Sequence, residues 1–85
     1  MVFLAITPQG LKAALRAAAS SAIPVWCGVD TVSEEDFAAL QGTGLTRFDY
    51  ELGARDPLVL EDALATIDQH HPGDVVWVEA AASAA

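Results

Sequence analysis

The sequence predicts a small three-layer α/β domain built on a mostly parallel, four-stranded sheet in the order 3-2-1-4. Three observations predict it: apolar runs alternate with amphipathic segments along the 85 residues, the first run is apolar without alternation, and a helix-start signal follows each of the first three runs. The elements therefore follow the order βαβαβαβ, and right-handed crossovers limit the possible strand orders. A ferredoxin-like α+β fold with an extra short helix is the alternative.

The predicted strands differ in how many of their faces are apolar. Residues 2–6 (VFLAI) are apolar on both faces, which is typical of a central strand covered by helices on both sides. Residues 25–29 (VWCGV) are predicted as a second internal strand, because Pro24 blocks continuation of the preceding helix. Apolar and charged side chains alternate over residues 45–52 (LTRFDYEL), which favours a half-exposed edge strand, and residues 75–78 (VVWV) form the last strand.

Each predicted helix begins after a residue whose side chain can accept hydrogen bonds from free helix amides. These N-cap residues are Thr7, Ser33 and Asp56, and two of them precede a proline that favours the first helical position. The helices are predicted from Pro8 to about Ala22, over residues 34–40, and from Pro57 to near His70. Residues 1–80 are therefore expected to form a single α/β domain, followed by a flexible C-terminal tail at residues 81–85.

Composition excludes several classes of partner. Twelve acidic residues against four Lys and Arg give a net charge of −8, which disfavours nucleic acid and an anionic membrane surface. A basic protein, or a second copy in a homodimer, is the expected partner. The single cysteine, Cys27, excludes an intramolecular disulfide and favours the cytoplasm, and its apolar neighbours predict a buried structural thiol.

Polar residues that follow the strands are the candidate ligand-binding residues, because ligands of open parallel sheets bind beyond the carboxyl ends of the strands. The segment 7–10 could present backbone amides to an anion, or it could be an ordinary helix cap. It lacks the spacing of a dinucleotide or nucleoside triphosphate loop, and no cofactor is predicted. The candidates are Thr7, Gln9, Gly10, Asp30, Arg55 and Asp56.

No metal site is predicted from the acidic or histidine residues. Asp30 and Asp56 could share a divalent cation, but a turn and a helix cap explain them locally. His70 and His71 are neighbours on a helix, so their side chains point about 100° apart and make a poor chelating pair.

The sequence assigns no catalytic residue, so the first function expected is a non-catalytic protein-interaction or regulatory module. Its candidate surface comprises the acidic start of the second helix and the charged side of the third strand, namely Glu34, Glu35, Arg47, Asp49 and Glu51. The alternative is a small-molecule binder or minimal enzyme with its site at the strand ends, and the third reading is a subunit of a larger assembly.

Overall fold

Four strands and three helices alternate along the chain in the computed structural model, which describes residues 1–40, 42 and 44–80. The strands are β1 (Val2–Ala5), β2 (Val25–Cys27), β3 (Leu45–Arg47) and β4 (Val76–Val78), and the helices are α1 (Pro8–Ala18), α2 (Glu34–Ala39) and α3 (Pro57–His70). All three strand pairings are parallel and the order is β3-β2-β1-β4. The predicted architecture is confirmed, and the ferredoxin-like alternative is excluded. The predicted tail, residues 81–85, lies outside the described residues.

The central strand β1 is covered on both faces, as its two-sided apolar sequence predicts. Val2 and Leu4 face α3, where Ile67 is fully buried against them. Ala5 faces the opposite layer and packs in a cluster with Leu11 of α1. The two clusters thus place α1 on one face of the sheet and α3 on the other, as expected for right-handed crossovers to strands on opposite sides of β1. The carboxyl ends of all four strands therefore point to the same edge.

All three predicted N-caps form. Their side chains accept hydrogen bonds from backbone amides two or three residues later: Thr7 from Gly10, Ser33 from Asp36 and Asp56 from Leu58, at 3.0, 3.1 and 2.9 Å. Helix α1 ends at Ala18, earlier than the predicted Ala22. The amides of Ser21 and Ala22 both donate to the Ala18 carbonyl oxygen, and Ala22 adopts a positive φ of 52°. This tight turn reverses the chain toward β2.

Strand β3 ends at Arg47, so the prediction of a strand over residues 45–52 is wrong in length. Beyond Arg47 the chain leaves the ladder and pairs with the loop after β2, where the Val29 amide donates to the Tyr50 carbonyl at 3.0 Å. The alternating pattern nevertheless predicts correctly which side chains point inward, because Phe48 and Leu52 are buried in the core. The apolar period here reflects burial, which an irregular segment also satisfies.

The two edges of the sheet differ in exposure. β3 lies at one edge, as predicted, and carries half-buried Leu45 and Arg47. β4 lies at the other edge and exposes Trp77 and Val78. Within the described residues no strand lies beyond β4. The edge formed by β4 therefore leaves large apolar side chains in water, whereas the edge formed by β3 does not.

Candidate functional site

Strands β1 and β4 end side by side at the point where the chain changes its direction across the sheet. The β1–α1 connection leads toward β2, whereas α3 returns the chain to the opposite side of β1. In parallel sheets this switch point opens a crevice that commonly receives ligands. Here it contains Thr7, Gly10, Arg55 and Glu79, and we call these four residues the switch-point cluster.

The carboxylate of Glu79 fills the N-terminal end of α1. Its Oε1 accepts hydrogen bonds from the backbone amides of Ile6 and Thr7 at 2.7 and 2.8 Å, and its Oε2 accepts one from the Thr7 hydroxyl at 2.6 Å. The Thr7 Oγ1 in turn accepts from the Gly10 amide. Free amides and the positive end of the helix dipole attract an anion to this position. The chain therefore supplies its own carboxylate where the sequence suggests an external anion.

The pKa of Glu79 reflects competition between burial and hydrogen bonding. Burial raises it, but the hydrogen bonds from the Thr7 hydroxyl and from the Thr7 and Ile6 amides, together with the Arg55 charge, lower it below its usual value of 4.5. These donors all favour the charged form. Glu79 is consequently a carboxylate at neutral pH.

Arg55 fastens the end of β4. Its Nη1 donates to the Glu79 carbonyl at 2.8 Å and its Nη2 donates to the Ala80 carbonyl at 2.9 Å, while Nη2 lies 3.9 Å from Glu79 Oε2. Arg55 adopts φ of 54°, which is costly for a residue with a side chain. The contacts with the end of β4 offset that cost, and they leave the guanidinium engaged within the chain.

Gly10 is required by the close approach of Glu79. A Cβ atom at position 10 would overlap the Glu79 carboxylate, so a side chain there would displace it. The sequence singles out Thr7, Gly10 and Arg55 of this cluster, and the structure brings these three together. It misses Glu79, although the predicted strand order already places the residue after β4 beside the residue after β1.

The other predicted ligand-binding residues do not join this cluster. Gln9 is exposed on the first turn of α1, and Asp56 caps α3. The carboxylate of Asp30 accepts hydrogen bonds from the amides of Leu52 and Gly53 at 3.2 and 3.0 Å, so it fastens the segment after β3. Among the described residues, no group of three or more His, Cys, Asp or Glu side chains could hold a metal ion.

Four of the five residues of the predicted interaction surface are exposed, and the fifth is half-buried. Glu34 and Glu35 are exposed in the first turn of α2, and Asp49 and Glu51 are exposed after β3. Arg47, however, is half-buried: its Nη2 donates to the Val29 carbonyl at 3.3 Å, and its guanidinium carbon lies 5.9 Å from the centre of the Phe37 ring. The expected charged ladder does not form, because Arg47 holds α2 and the β2–α2 loop against β3.

Cys27 and the two histidines lie away from the switch-point cluster. Burial raises the pKa of the Cys27 thiol, and this effect outweighs the hydrogen bond with Thr31. His70 Nδ1 lies 3.0 Å from the Thr66 carbonyl oxygen, and both histidine rings stand near the buried Trp26 ring. The thiol is therefore buried, as the sequence predicts.

A group of apolar side chains is exposed along β4, and we call it the β4 patch. It consists of Met1, Val75, Trp77 and Val78, which are 52%, 63%, 59% and 41% exposed. Trp77 pairs with Phe3 in the ladder and therefore lies on the α1 face of the sheet. On that face α1 covers β1 and β2 but leaves a groove of about 280 Å³ beside Trp77, with Ala13 and Ala17 on its far wall.

The comparisons with known proteins give no relative. The chain matches no family model, no curated protein and no solved structure. Within the described residues, no helix combines the length and the apolar character needed to cross a bilayer.

Proposed function

We propose that this domain is a non-catalytic protein-interaction module that binds its partner through the β4 patch. One observation carries the proposal: Trp77, on the edge strand β4, is 59% exposed, and Val75, directly before this strand, is 63% exposed. A single exposed apolar residue is ordinary, but several exposed apolar side chains along one sheet edge are typical of an interface.

The size of the β4 patch supports this function. From their exposed fractions, its four residues leave about 400 Å² in water, with Val78 on the face of the sheet opposite Trp77. The largest apolar patch of a monomer is commonly of this size and is often functional. Trp77 is the central side chain, and tryptophan is prominent among the residues that dominate binding energy at interfaces. Burial of this surface would be the main driving force of association.

The position of the β4 patch at a sheet edge also supports an interaction with another polypeptide. An edge strand offers backbone donors and acceptors to a further strand, and proteins usually protect such edges with charge, proline or a covering element. At the other edge, β3 includes a charged side chain, Arg47. The side chains of β4 itself are Val76, Trp77 and Val78, and none of them is charged.

The state of the switch-point cluster argues against the alternative of an anion or metabolite site. The amides at the start of α1 already bind Glu79, and Arg55 binds the end of β4. An external anion would have to displace a carboxylate of this chain. The single cysteine, Cys27, is buried and has no partner for an intramolecular disulfide, which supports a reducing compartment, and we place the module in the cytoplasm on that basis.

Two matched variants test the proposed surface. Trp77→Lys places a charge at the centre of the β4 patch, whereas Leu58→Lys makes the same change at a side chain that is 76% exposed on α3. We expect Trp77→Lys to lose binding of the protein partner and Leu58→Lys to keep it. In the complex of the wild-type domain with this partner, protection from hydrogen exchange should be confined to the β4 patch and the backbone of β4. Equal binding by both variants, or protection elsewhere, would contradict the proposal.

A further inference from the structure

We infer that the occupant of the β4 patch is a second copy of this chain, whose β4 pairs antiparallel with the first around a two-fold axis at Trp77. This inference rests on the proposed function and adds the partner and the register to it. The resulting dimer would have one continuous eight-stranded sheet, with the two Trp77 side chains next to each other on the α1 face.

The hydrogen bonds of β4 with β1 define which backbone groups are available. The Val75 carbonyl accepts from the Val2 amide at 2.9 Å, and the Glu79 amide donates to the Leu4 carbonyl at 3.0 Å. Successive residues of a strand direct their backbone groups to opposite sides. Residues 75, 77 and 79 therefore face β1, and the amides and carbonyls of Val76 and Val78 face the open edge.

These groups select a register for an antiparallel partner. If Val76 of each copy pairs with Val78 of the other, the two residues exchange both hydrogen bonds, and the symmetric pair makes four in total. Trp77 then faces Trp77 of the second copy as a non-hydrogen-bonded pair, with the Cα atoms about 4.5 Å apart. Side chains are closest in such pairs, and facing aromatic residues stabilise a sheet.

The charges that flank β4 are compatible with this register. Asp74 would face Ala80 of the second copy, and Glu79 would face Val75, so no like charges lie directly opposite. The Glu79 carboxylate is also directed inward to Thr7 and away from the seam. A parallel arrangement in register would instead place Asp74 beside Asp74 and Glu79 beside Glu79. The antiparallel pairing thus avoids repulsion at the contact, even though each copy has a net charge of −8.

The area that pairing would bury predicts a weak dimer. Two β4 patches of about 400 Å² each would together remove about 800 Å² from water, which is below the size of most specific interfaces and in the range of weak, transient ones. The interface is isologous, so it closes at two copies and does not extend into a filament. We expect dissociation in the micromolar range.

Sedimentation of the whole chain from about 5 to 500 µM measures this association. The wild-type protein should change from monomer to dimer across the range. Trp77→Lys should remain monomeric, because two ammonium groups would meet at the axis, and Leu58→Lys should dimerise as the wild type does. A wild-type protein that stays monomeric, or a Trp77→Lys variant that still dimerises, would overturn the inference.

Cysteine substitution tests the register of the paired β4 strands separately from the affinity of the dimer. Trp77→Cys should form an intermolecular disulfide under mild oxidation, because residues 77 face each other within bonding distance. Val75→Cys is the control on the same face: its two copies would lie about 13 Å apart in the antiparallel register. Efficient cross-linking of both variants would indicate parallel pairing in register, and cross-linking of Val75→Cys alone would indicate a shifted register; either result would overturn the inference.

The outcomes separate the partner from the function. A monomeric wild-type protein that binds a different protein, such as a basic one, through Trp77 would overturn the second-copy inference and leave the interaction module in place. A monomeric protein with no Trp77-dependent binding would overturn both.

Discussion

The carboxylate of Glu79 binds Thr7 twice, through the backbone amide at 2.8 Å and the hydroxyl at 2.6 Å. The two residues are separated by 72 positions in the sequence, so this contact joins the end of β4 to the start of α1. Because Thr7 is the N-cap residue of α1, the carboxylate stabilises the helix terminus as well as the strand pairing.

Replacing Glu79 with glutamine should lower the free energy of unfolding by about 1–3 kcal/mol, because a charged acceptor is replaced by a neutral amide whose NH₂ group cannot accept. Urea unfolding at neutral pH measures the change. Glu61→Gln, at an exposed position of α3, is the matched control and should change stability by less than about 0.5 kcal/mol. Equal effects of the two variants would show that the Glu79 hydrogen bonds contribute nothing particular.

Acidification should abolish the contribution of the Glu79 carboxylate to the free energy of unfolding. Its pKa in the folded protein is lowered, with its usual value at 4.5, so its stabilisation is fully present above pH 4.5 and is lost as the pH falls through the folded pKa. We expect the stability difference between wild type and Glu79→Gln to be constant between about pH 7 and 6 and to shrink below about pH 4.5. A difference that grows on acidification would have the wrong sign for this mechanism.

Gly10→Ala should have opposite effects in two backgrounds. In the wild-type chain the new Cβ overlaps the Glu79 carboxylate, and we expect a loss of about 1–3 kcal/mol as its hydrogen bonds break. In Glu79→Ala the obstacle is absent, and alanine should stabilise α1 by up to about 1 kcal/mol because it is the better helix former. A double-mutant cycle by urea unfolding measures the coupling. Additive effects would contradict the close contact.

Cys27 should be unreactive in the folded protein. Burial raises the pKa of its thiol and excludes reagents, so labelling by a thiol reagent at about pH 8 should require opening of the fold. We expect slow labelling in buffer and rapid labelling in denaturant. Rapid labelling under native conditions would show that β2 is accessible.

The sequence predicts the strand order and the helix starts because both depend on local patterns. The two-sided apolar run at residues 2–6 identifies the central strand, and Thr7, Ser33 and Asp56 identify the caps. By contrast, the partner of the Thr7 amide is set by tertiary packing. No local pattern at Glu79 distinguishes it from the other acidic residues.

Two further differences between the sequence prediction and the structure also come from tertiary packing. Alternation at residues 45–52 predicts burial correctly but not the departure from the ladder, which depends on the Asp30 carboxylate binding the amides of Leu52 and Gly53. The exposure of Trp77 depends on how far α1 extends over the sheet. An apolar run alone predicts that β4 is a strand and says nothing about whether a helix covers it.

The pairing of β1 with β4 also has a consequence for synthesis on the ribosome. Strand β1 emerges early and can pair with β2 through the short α1 connection, but its other neighbour and the bond from Ile6 to Glu79 require residues translated more than seventy codons later. Until then, one edge of the first strand stays open in the nascent chain. Completion of the sheet therefore waits for the synthesis of β4, and a stalled chain lacking residues 76–79 would expose that edge to the proteins that bind emerging polypeptides.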